Sequence, residues 1–310
     1  MRVAAICASH APLKDIHSPG ADTAIEVARV FEEVRAWVRD LAPELVIVFG
    51  PDHFNGFFYQ LMPSFCIGTA VESIGDWNTP AGTLPVDSAA AEACVKFLHQ
   101  QGVDIAVSYR MQVDHGLVQT LQMICDWAAL PPLLPIFVNC AAPPLPPFAR
   151  MVALGRAIGT FARDCGRRVL IVGSGGLSHD PPVPALRGAA PEVRERLIVG
   201  GPMPATMRAA RQARVAEEGL KQLAGTSECV PVNPVWDRHF LDLLLARDFV
   251  ALSAIEDLAL TAAAGRGGHE VRTWVATAAA MSMIPHSQSR LRMYRPIPIW
   301  VAGYGVLTIE

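Results

Sequence analysis

Charged residues and paired cysteines are both scarce in this 310-residue sequence. Only 18% of the residues are charged and 51% are hydrophobic, a composition that argues against a disordered chain and allows a large buried core. The seven cysteines are an odd number, and none of them forms a CxxC pair. Neither a disulfide framework nor a zinc knuckle is indicated, and we expect most thiols to be small buried side chains in a reducing compartment.

Basic stripes and long apolar helices are also lacking. The net charge is −3, which argues against nucleic acid or an anionic membrane as a partner and favours a small molecule. The uncharged stretch from Trp127 to Phe148 contains seven prolines, which a membrane-spanning helix could not accommodate, and we predict a strand at Leu133 to Val138. The amino-terminal apolar run is too short for a signal peptide, so we expect a cytoplasmic location.

Apolar runs alternate with segments of helical period, which is typical of an α/β fold. We predict a single domain over residues 1–310, with a central, mostly parallel mixed sheet flanked by helices. The predicted strands are Val3 to Ala8, Leu45 to Phe49, Ile105 to Val107, Leu133 to Val138 and Val169 to Val172, with an extended end at 296–301. The predicted helices are 23–41 with Asp22 as its N-cap, 89–101, 151–165 and 269–283.

Residues 187–230 differ from the rest because they are rich in Arg, Glu, Ala and Gln. We predict a helical insertion within the domain. A solvated surface helix is the favoured interpretation, and a lid or an oligomer contact is the alternative.

Four of the nine histidines follow predicted strands. His10, His53 and His179 come after the first, second and fifth strands, and His115 comes after the third. Ligands bind at the carboxyl ends of the strands in an open α/β sheet, so these four side chains could converge on one crevice. A single loop histidine is more often a polar residue satisfied by its neighbours, but the repeated placement favours a metal or acid–base site. His17, His99, His239 and His286 lack this context, and we expect them to be structural.

A metal site that binds oxygen also needs a carboxylate, as in the arrangement of two histidines and one carboxylate around Fe(II). The candidates are Asp52, Asp114, Asp180 and Glu270. Asp52 and Asp114 directly precede histidines and are alternatively orienting or capping residues. Spacing alone leaves the choice open, and the same donors also suit zinc in a hydrolase.

Several common motifs are excluded by single residues. HEVRT at 269–273 is not the HExxH of zincins, and GSGGLSH at 173–179 has no P-loop lysine. Ser174 and Ser178 do not lie in a GxSxG nucleophile elbow.

Six segments together resemble the class III extradiol ring-cleaving dioxygenases, and the similarity extends from residue 1 to YRPIPIWVAGYG near the end. The segments are SHAPL at 9–13, PDHFNGFFY at 51–59, MQVDHG at 111–116, GSGGLSHDPPVP at 173–184, NPVWD at 233–237 and HEVRTWVA at 269–276. Ala11 and Phe54 stand where relatives carry Ser and Tyr, which puts substrate contacts in doubt and leaves the chemistry unaffected.

The resemblance implies a function and a set of site residues. It implies Fe(II)-dependent extradiol cleavage, by O₂, of a catechol with a propionate side chain and of its cinnamate analogue, with no organic cofactor. It implies that His10, His53 and Glu270 are the iron ligands. It implies that His115 and His179 form an acid–base pair, with His115 preferred as base and His179 as acid. It also implies a homo-oligomer.

Three alternatives remain open beside this interpretation. They are another catechol or aminophenol as substrate, a zinc hydrolase on the same ligands, and a non-enzymatic binding protein. Arg110, Arg266 and Arg295 are weak candidates for binding the side-chain carboxylate. The aromatic cluster Phe54, Phe57, Phe58 and Tyr59 is explained equally well by a ring pocket and by core packing.

Overall fold

The computed structural model describes residues 2–201 and 203–310, so Pro202 of the predicted insertion lies outside the described residues. Within these ranges the strands are β1 (Val3–Ala8), β2 (Leu45–Gly50), β3 (Phe65–Gly68), β4 (Val71–Ile74), β5 (Ala81–Thr83), β6 (Ala106–Ser108), β7 (Met111–Val113), β8 (Leu133–Val138), β9 (Val169–Ser174), β10 (Ser289–Ile297) and β11 (Ala302–Ile309). The α-helices are α1 (Ala21–Leu41), α2 (Ser88–Gln100), α3 (His115–Ile124), α4 (Phe148–Asp164), α5 (Pro191–Val199), α6 (Ala205–Ala224), α7 (Pro234–Ala246), α8 (Phe249–Ser253), α9 (Asp257–Ala264) and α10 (Val271–Met281).

An eight-stranded sheet in the order β10-β11-β1-β9-β2-β8-β3-β6 organises the chain, and β5-β4-β7 form a second, smaller sheet. The four central strands β1, β9, β2 and β8 are mutually parallel. Antiparallel pairs join β11 to β1, β10 to β11 and β3 to β8. The predicted α/β class with a mostly parallel, mixed central sheet is therefore confirmed.

The central strands are apolar throughout because helices cover both faces of the sheet. Every residue of β1, β2, β8 and β9 is buried, as is typical of parallel strands. Along β1, Ala5 and Cys7 belong to one core cluster and Ala4 and Ile6 to the other, because successive side chains point to opposite faces. All seven cysteines are free thiols, five of them buried.

Helix α10 is buried along its whole length and packs against α4. Two glycines of α4 permit this approach: a Cβ at Gly155 would lie 2.2 Å from the Ala276 carbonyl oxygen, and one at Gly159 would lie 2.1 Å from the Ala280 carbonyl oxygen. The short side chains of α10 and these glycines therefore bring the two helix backbones together. This contact fixes the amino-terminal end of α10 over the central strands.

Most predicted elements are found, with local corrections. The predicted N-cap Asp22 lies inside the first turn of α1, and Gly20 is the capping residue. The predicted helix 269–283 begins with a 3-10 turn, Gly267–Glu270, before α10. The extended end predicted at 296–301 is wrong beyond Ile297, because Pro298–Trp300 form another 3-10 turn. No helix in the described ranges is both long enough and apolar enough to cross a membrane.

Candidate active site and metal centre

Three of the predicted histidines leave the same edge of the central sheet. His10, His53 and His179 follow β1, β2 and β9, which are neighbouring parallel strands in the order β1-β9-β2. Parallel strands end at one edge, so the loops that carry these side chains begin close together. The rings of His10 and His53 have centroids 5.8 Å apart at an interplanar angle of 88°.

His115 reaches the same place by a different route from the one predicted. It does not follow β6, which is the outer strand of the large sheet, but comes after β7 of the small sheet and is the first residue of α3. Its ring stacks on His53, with centroids 4.4 Å apart and planes 16° from parallel. His115 therefore joins the other three histidines as predicted, but it comes from the small sheet and not from the strand predicted at Ile105 to Val107.

Glu270 lies among these rings as the last residue of the 3-10 turn before α10. Its carboxylate Oε1 is 3.0 Å from His53 Nε2 and 3.5 Å from His179 Nε2, and Oε2 is 3.4 Å from His10 Nε2. Gly176 donates its backbone N–H to Oε2 at 2.8 Å. One buried carboxylate thus faces three imidazole Nε2 atoms. We call these four residues and His115 the histidine–Glu270 cluster.

Two carboxylates orient two of the rings from behind. Asp114 accepts from His53 Nδ1 at 3.1 Å and from the His53 backbone N–H at 2.9 Å. Asp76 accepts from His115 Nδ1 at 2.6 Å and from the His115 backbone N–H at 2.8 Å. Because each carboxylate takes the Nδ1 proton, Nε2 of each ring is left facing the cluster.

The other two rings are oriented by oxygen acceptors in the β9 segment. His179 Nδ1 donates to the Leu177 carbonyl at 2.8 Å. Ser174 Oγ donates its single proton to the Gly116 carbonyl, which can only accept, so it must accept from His10 Nδ1 at 3.2 Å. All four rings therefore hold Nδ1 as the donor and turn Nε2 toward the cluster.

The electrostatics of the cluster test whether a metal ion fits. Burial, followed by neighbouring histidines, lowers the pKa of His10 to about 3 in spite of Glu270, so its contact with Glu270 is not an ion pair. Burial also acts to lower the pKa of His53, but the flanking Asp114 and Glu270 carboxylates raise it well above its usual value. A carboxylate that faces a neutral Nε2 lone pair needs a proton or a cation between them. The donor set therefore fits a divalent metal ion.

The spacing of the donors agrees with this. Metal–ligand bonds of about 2.1 Å at right angles place two ligand atoms about 3 Å apart, and the Glu270 oxygens lie 3.0 and 3.4 Å from His53 and His10 Nε2. A second combination is also compact, since His10, His53 and His115 offer ring nitrogens within 4.8 Å of one another. Two imidazoles plus Glu270 leave a smaller net charge on a bound dication than three imidazoles, which favours the set that contains Glu270.

The other candidate carboxylates are occupied elsewhere. Asp52 accepts the backbone N–H groups of Asn55, Gly56 and Phe57 and closes the turn after His53. Asp180 is paired with Arg266 at 3.0 Å. Asp114 also caps α3 through the Gly116 N–H. Among the four candidates only Glu270 faces several histidine rings at once.

Asp76 is the residue that sequence reasoning missed. It lies 39 positions from His115, and no spacing pattern connects the two. The sequence offers only a turn segment, IGDWN at 74–78. In the structure its aspartate is buried, with an exposure of 5%. A buried carboxylate needs hydrogen-bond donors, and His115 supplies two of them.

Two neighbouring cavities, which share His53 and Arg211 in their walls, adjoin the cluster. The smaller, of about 60 Å³, is lined by His10, His53, His115 and His179 together with Trp77. The larger, of about 570 Å³, includes His53 and Glu270 in its wall and has the size of a small-molecule site. Arg211 lines both cavities.

The predicted insertion forms one wall of the larger cavity. Residues 187–230 contain α5 and α6, and we call this segment the cap. The cap contributes Leu197, Met203, Met207 and Arg211, among others, to the cavity. The backbone N–H groups of Tyr59 and Gln60 donate hydrogen bonds to carbonyl oxygens at the end of α5, at 2.9 and 2.7 Å, and so join the cap to the loop that carries His53. The interpretation of this segment as a solvated surface helix is therefore wrong for its inner side.

The aromatic cluster has two different roles. Phe54 and Tyr59 line the larger cavity, whereas Phe57 stacks on Phe137 in the core with ring centroids 3.8 Å apart. Phe58 packs against Gly200 of the cap, where a Cβ would lie 2.4 Å from the ring. The ring-pocket and core-packing interpretations each hold for part of the cluster.

Comparison with known proteins gives a consistent result. The family model described as the catalytic LigB subunit of aromatic ring-opening dioxygenase matches residues 4–305. The chain belongs to this family.

Several relatives of this LigB-family chain are named 2,3-dihydroxyphenylpropionate/2,3-dihydroxicinnamic acid 1,2-dioxygenases. The Pseudomonas putida protein is 48% identical over 303 residues, covering 97% of this chain and 96% of its own. The Rhodococcus protein is 46% identical, with 98% and 97% covered, and the Photorhabdus laumondii protein is 41% identical, with 100% and 98% covered. An uncharacterised Escherichia coli K12 protein of known structure shares the fold, with a TM-score of 0.51 and 16% identity over the whole of both chains.

Proposed function

We propose that this LigB-family chain is an Fe(II)-dependent extradiol dioxygenase that cleaves 2,3-dihydroxyphenylpropionate and its cinnamate analogue. Cleavage beside the diol consumes one O₂, places both of its atoms in the product and gives 2-hydroxy-6-oxonona-2,4-dienedioate. The observation that carries the proposal is the buried Glu270 carboxylate within 3.0–3.5 Å of three imidazole Nε2 atoms. The names of the relatives support the substrate.

His10, His53 and Glu270 are proposed to hold Fe(II). Two histidines and one carboxylate are a donor set that suits Fe(II), and they would leave room for a catechol and O₂ beside the ion. When bound, Fe(II) supplies the redox-active centre that lets a singlet catechol react with O₂. Asp114 behind His53 and Ser174 behind His10 keep the ligand nitrogens aimed at that centre.

His115 and His179 are proposed to move the protons. His115 Nε2 is free to accept a proton from a catechol hydroxyl, because its Nδ1 proton is held by Asp76. His179 then donates a proton to the oxygen that leaves as the ring opens. Both rings border the small cavity, so a catechol placed there would lie near both of them.

The same donors also suit Zn²⁺ in a hydrolase, and another catechol or an aminophenol could occupy the cavity. Reconstitution separates these functions. Purified without oxygen, loaded with Fe(II) and given 2,3-dihydroxyphenylpropionate and air, the protein should form a yellow dienoate and take up one O₂ per substrate. The zinc-loaded protein should do neither. Iron-loaded protein that gives no colour and no oxygen uptake with any catechol or aminophenol would refute the proposal.

We further propose that residues 1–310 form one domain, with the cap as an insertion, and that the chain forms homo-oligomers. Both core clusters lie on the single eight-stranded sheet, which supports the first point. Exposed apolar side chains on α7, α8 and α9 support the second, since Val235, Val250 and Leu258 are 81%, 84% and 87% exposed. Sedimentation equilibrium at micromolar concentration measures the state directly, and a monomer would contradict the second point.

A further inference from the structure

The larger cavity has an unusual balance of charge. Five arginines line it, namely Arg187, Arg196, Arg211, Arg214 and Arg266, and Glu270 is the only acidic residue among the described residues in its wall. Glu270 faces the histidines and is not available to the arginines. The rest of the wall is mostly apolar, with side chains such as Leu145, Val183 and Met207. The cavity wall is therefore mostly apolar and carries an excess of positive charge.

Two of these arginines are half-buried and close together. Arg196 of α5 and Arg211 of α6 each contact the loop after β2 through a carbonyl oxygen: Arg211 Nη1 donates to His53 at 3.1 Å, and Arg196 Nη2 donates to Phe54 at 3.5 Å. In the described part of the chain no ion pair joins either guanidinium to a carboxylate. Burial, and then the charge of Arg211, lowers the pKa of Arg196. Two partly desolvated cations thus lie side by side without a counter-ion from the chain.

The earlier candidates fit less well. Arg266 lines the cavity, but its charge is balanced by Asp180 at 3.0 Å. Arg295 is paired with Glu26 on the surface. Arg110 is exposed and is not part of the cavity wall. Arg211 differs from all three because it also borders the small cavity that contains the four histidines.

Building on the proposed function, we propose that Arg196 and Arg211 bind the side-chain carboxylate of the substrate and make the site selective for catechols with an anionic side chain. A planar guanidinium binds a carboxylate through two parallel hydrogen bonds. With the catechol ring in the small cavity, a side chain directed into the larger cavity passes Arg211. The cap, rather than the histidine–Glu270 cluster, then selects the substrate.

Binding to the metal-free protein tests this without turnover. 3-Phenylpropionate has the side chain but no catechol oxygens, and 3-phenylpropanol is its uncharged counterpart. Calorimetry should show that the wild type prefers the acid, and that Arg196→Gln and Arg211→Gln each weaken the binding of the acid by at least about 30-fold. Binding of the alcohol measures whether the cavity itself is intact.

Turnover of the iron-loaded enzyme gives a second readout. The ratio of kcat/KM for 2,3-dihydroxyphenylpropionate to that for 3-propylcatechol should fall by at least about 30-fold in each Gln variant. Arg211→Lys, which keeps a donor for the His53 carbonyl, should fall between the wild type and Arg211→Gln. Arg194→Gln on the exposed side of α5 is the matched control and should keep the wild-type ratio, since Arg194 is exposed, is not part of the described cavity wall and donates to the Leu186 carbonyl.

The two proposals fail in different ways. Wild-type protein that binds the acid and the alcohol equally, or Gln variants that keep the wild-type preference for the acid, would overturn the assignment of Arg196 and Arg211. Equal losses for both catechols would also overturn it, because they would indicate a general disturbance. Wild-type protein that prefers the acid but cleaves no catechol with Fe(II) would refute the dioxygenase proposal and leave the carboxylate site standing.

Discussion

The histidine–Glu270 cluster and the cap border the same cavities but are held in contrasting ways. Each ring of the cluster has an acceptor fixed behind its Nδ1, and Glu270 receives a backbone N–H from Gly176. The loops that carry three of the rings start from central strands that are buried on both faces. In the cap, the guanidinium groups of Arg196 and Arg211 donate to carbonyl oxygens, and among the described residues no carboxylate pairs with either of them. The cluster is preorganised, whereas the cap leaves its charges available for a ligand.

This contrast suggests a division of labour. Preorganised donors are required where a metal ion is held and protons are moved, because small displacements of these groups strongly lower the reaction rate. Selection of a side chain requires charge and shape at the mouth of the site. Substitutions in the cluster should therefore change metal content or kcat, and substitutions in the cap should change KM and selectivity.

The largest effect is expected at Glu270. Glu270→Gln removes the carboxylate that faces Nε2 of His10, His53 and His179, so Fe(II) affinity should fall by more than the roughly 10–100-fold typical of outer-shell partners, and ring cleavage should be lost. Iron per chain after gel filtration measures this. Glu44→Gln, an exposed residue paired with Arg168, is the control. Full iron content in Glu270→Gln would remove Glu270 from the ligand set.

Loss of an acid–base group should be next in size. His115→Ala and His179→Ala should keep iron and lose about 10²–10⁴-fold in kcat. The iron content of His115→Ala also separates the two compact donor sets, since loss of iron there would favour His10, His53 and His115 as ligands. Rates near the wild-type value in either variant would contradict the proposed proton transfers.

The orienting carboxylates should give smaller effects that differ in kind. Asp114→Asn should weaken Fe(II) binding about 10–100-fold through His53, and asparagine can still cap α3. Asp76→Asn should leave iron in place and lower kcat by a similar factor through His115. Metal titration and steady-state kinetics on both variants test the pair. The opposite pattern would exchange the roles of His53 and His115.

The smallest effect is expected where the cap meets the His53 loop. Gly200 has a φ of +77° and touches the Phe58 ring, so Gly200→Ala should introduce about 1–3 kcal/mol of strain and raise KM by up to roughly tenfold, with normal iron content. Gly225→Ala is the matched control because Gly225 has a φ of +69° and open space around it. An equal change in both variants would indicate backbone strain alone.

Sequence reasoning was most successful where physics is local. The buried strands could be predicted from apolar runs, and the histidines that follow strands could be grouped without knowing the order of the strands in the sheet. It failed where contacts are distant in sequence. Asp76 reaches His115 across 39 positions. The strand before His115, β7, was not predicted, because β5 and β7 of the small sheet have only three residues each and show no periodic pattern in the sequence.

The inward-facing side chains of the cap also could not be predicted from the sequence. Its arginine-rich composition is typical of a solvated helix, and nothing in the spacing of Arg196 and Arg211 shows that they turn inward. Tertiary hydrogen bonds bring this segment against the site: the backbone N–H groups of Tyr59 and Gln60 donate to the end of α5, and Arg196 and Arg211 donate to carbonyls of the loop after β2. Burial of such residues depends on tertiary contacts that a helical pattern does not encode.

The fate of molecular oxygen tests the proposed ring cleavage most directly. Iron-loaded wild type should be mixed with 2,3-dihydroxyphenylpropionate under isotopically heavy O₂, and the ring-opened product analysed by mass spectrometry after rapid quenching. Extradiol cleavage predicts that both heavy atoms enter a product cleaved beside the diol. A product without heavy oxygen, or one cleaved between the two hydroxyl-bearing carbons, would contradict it.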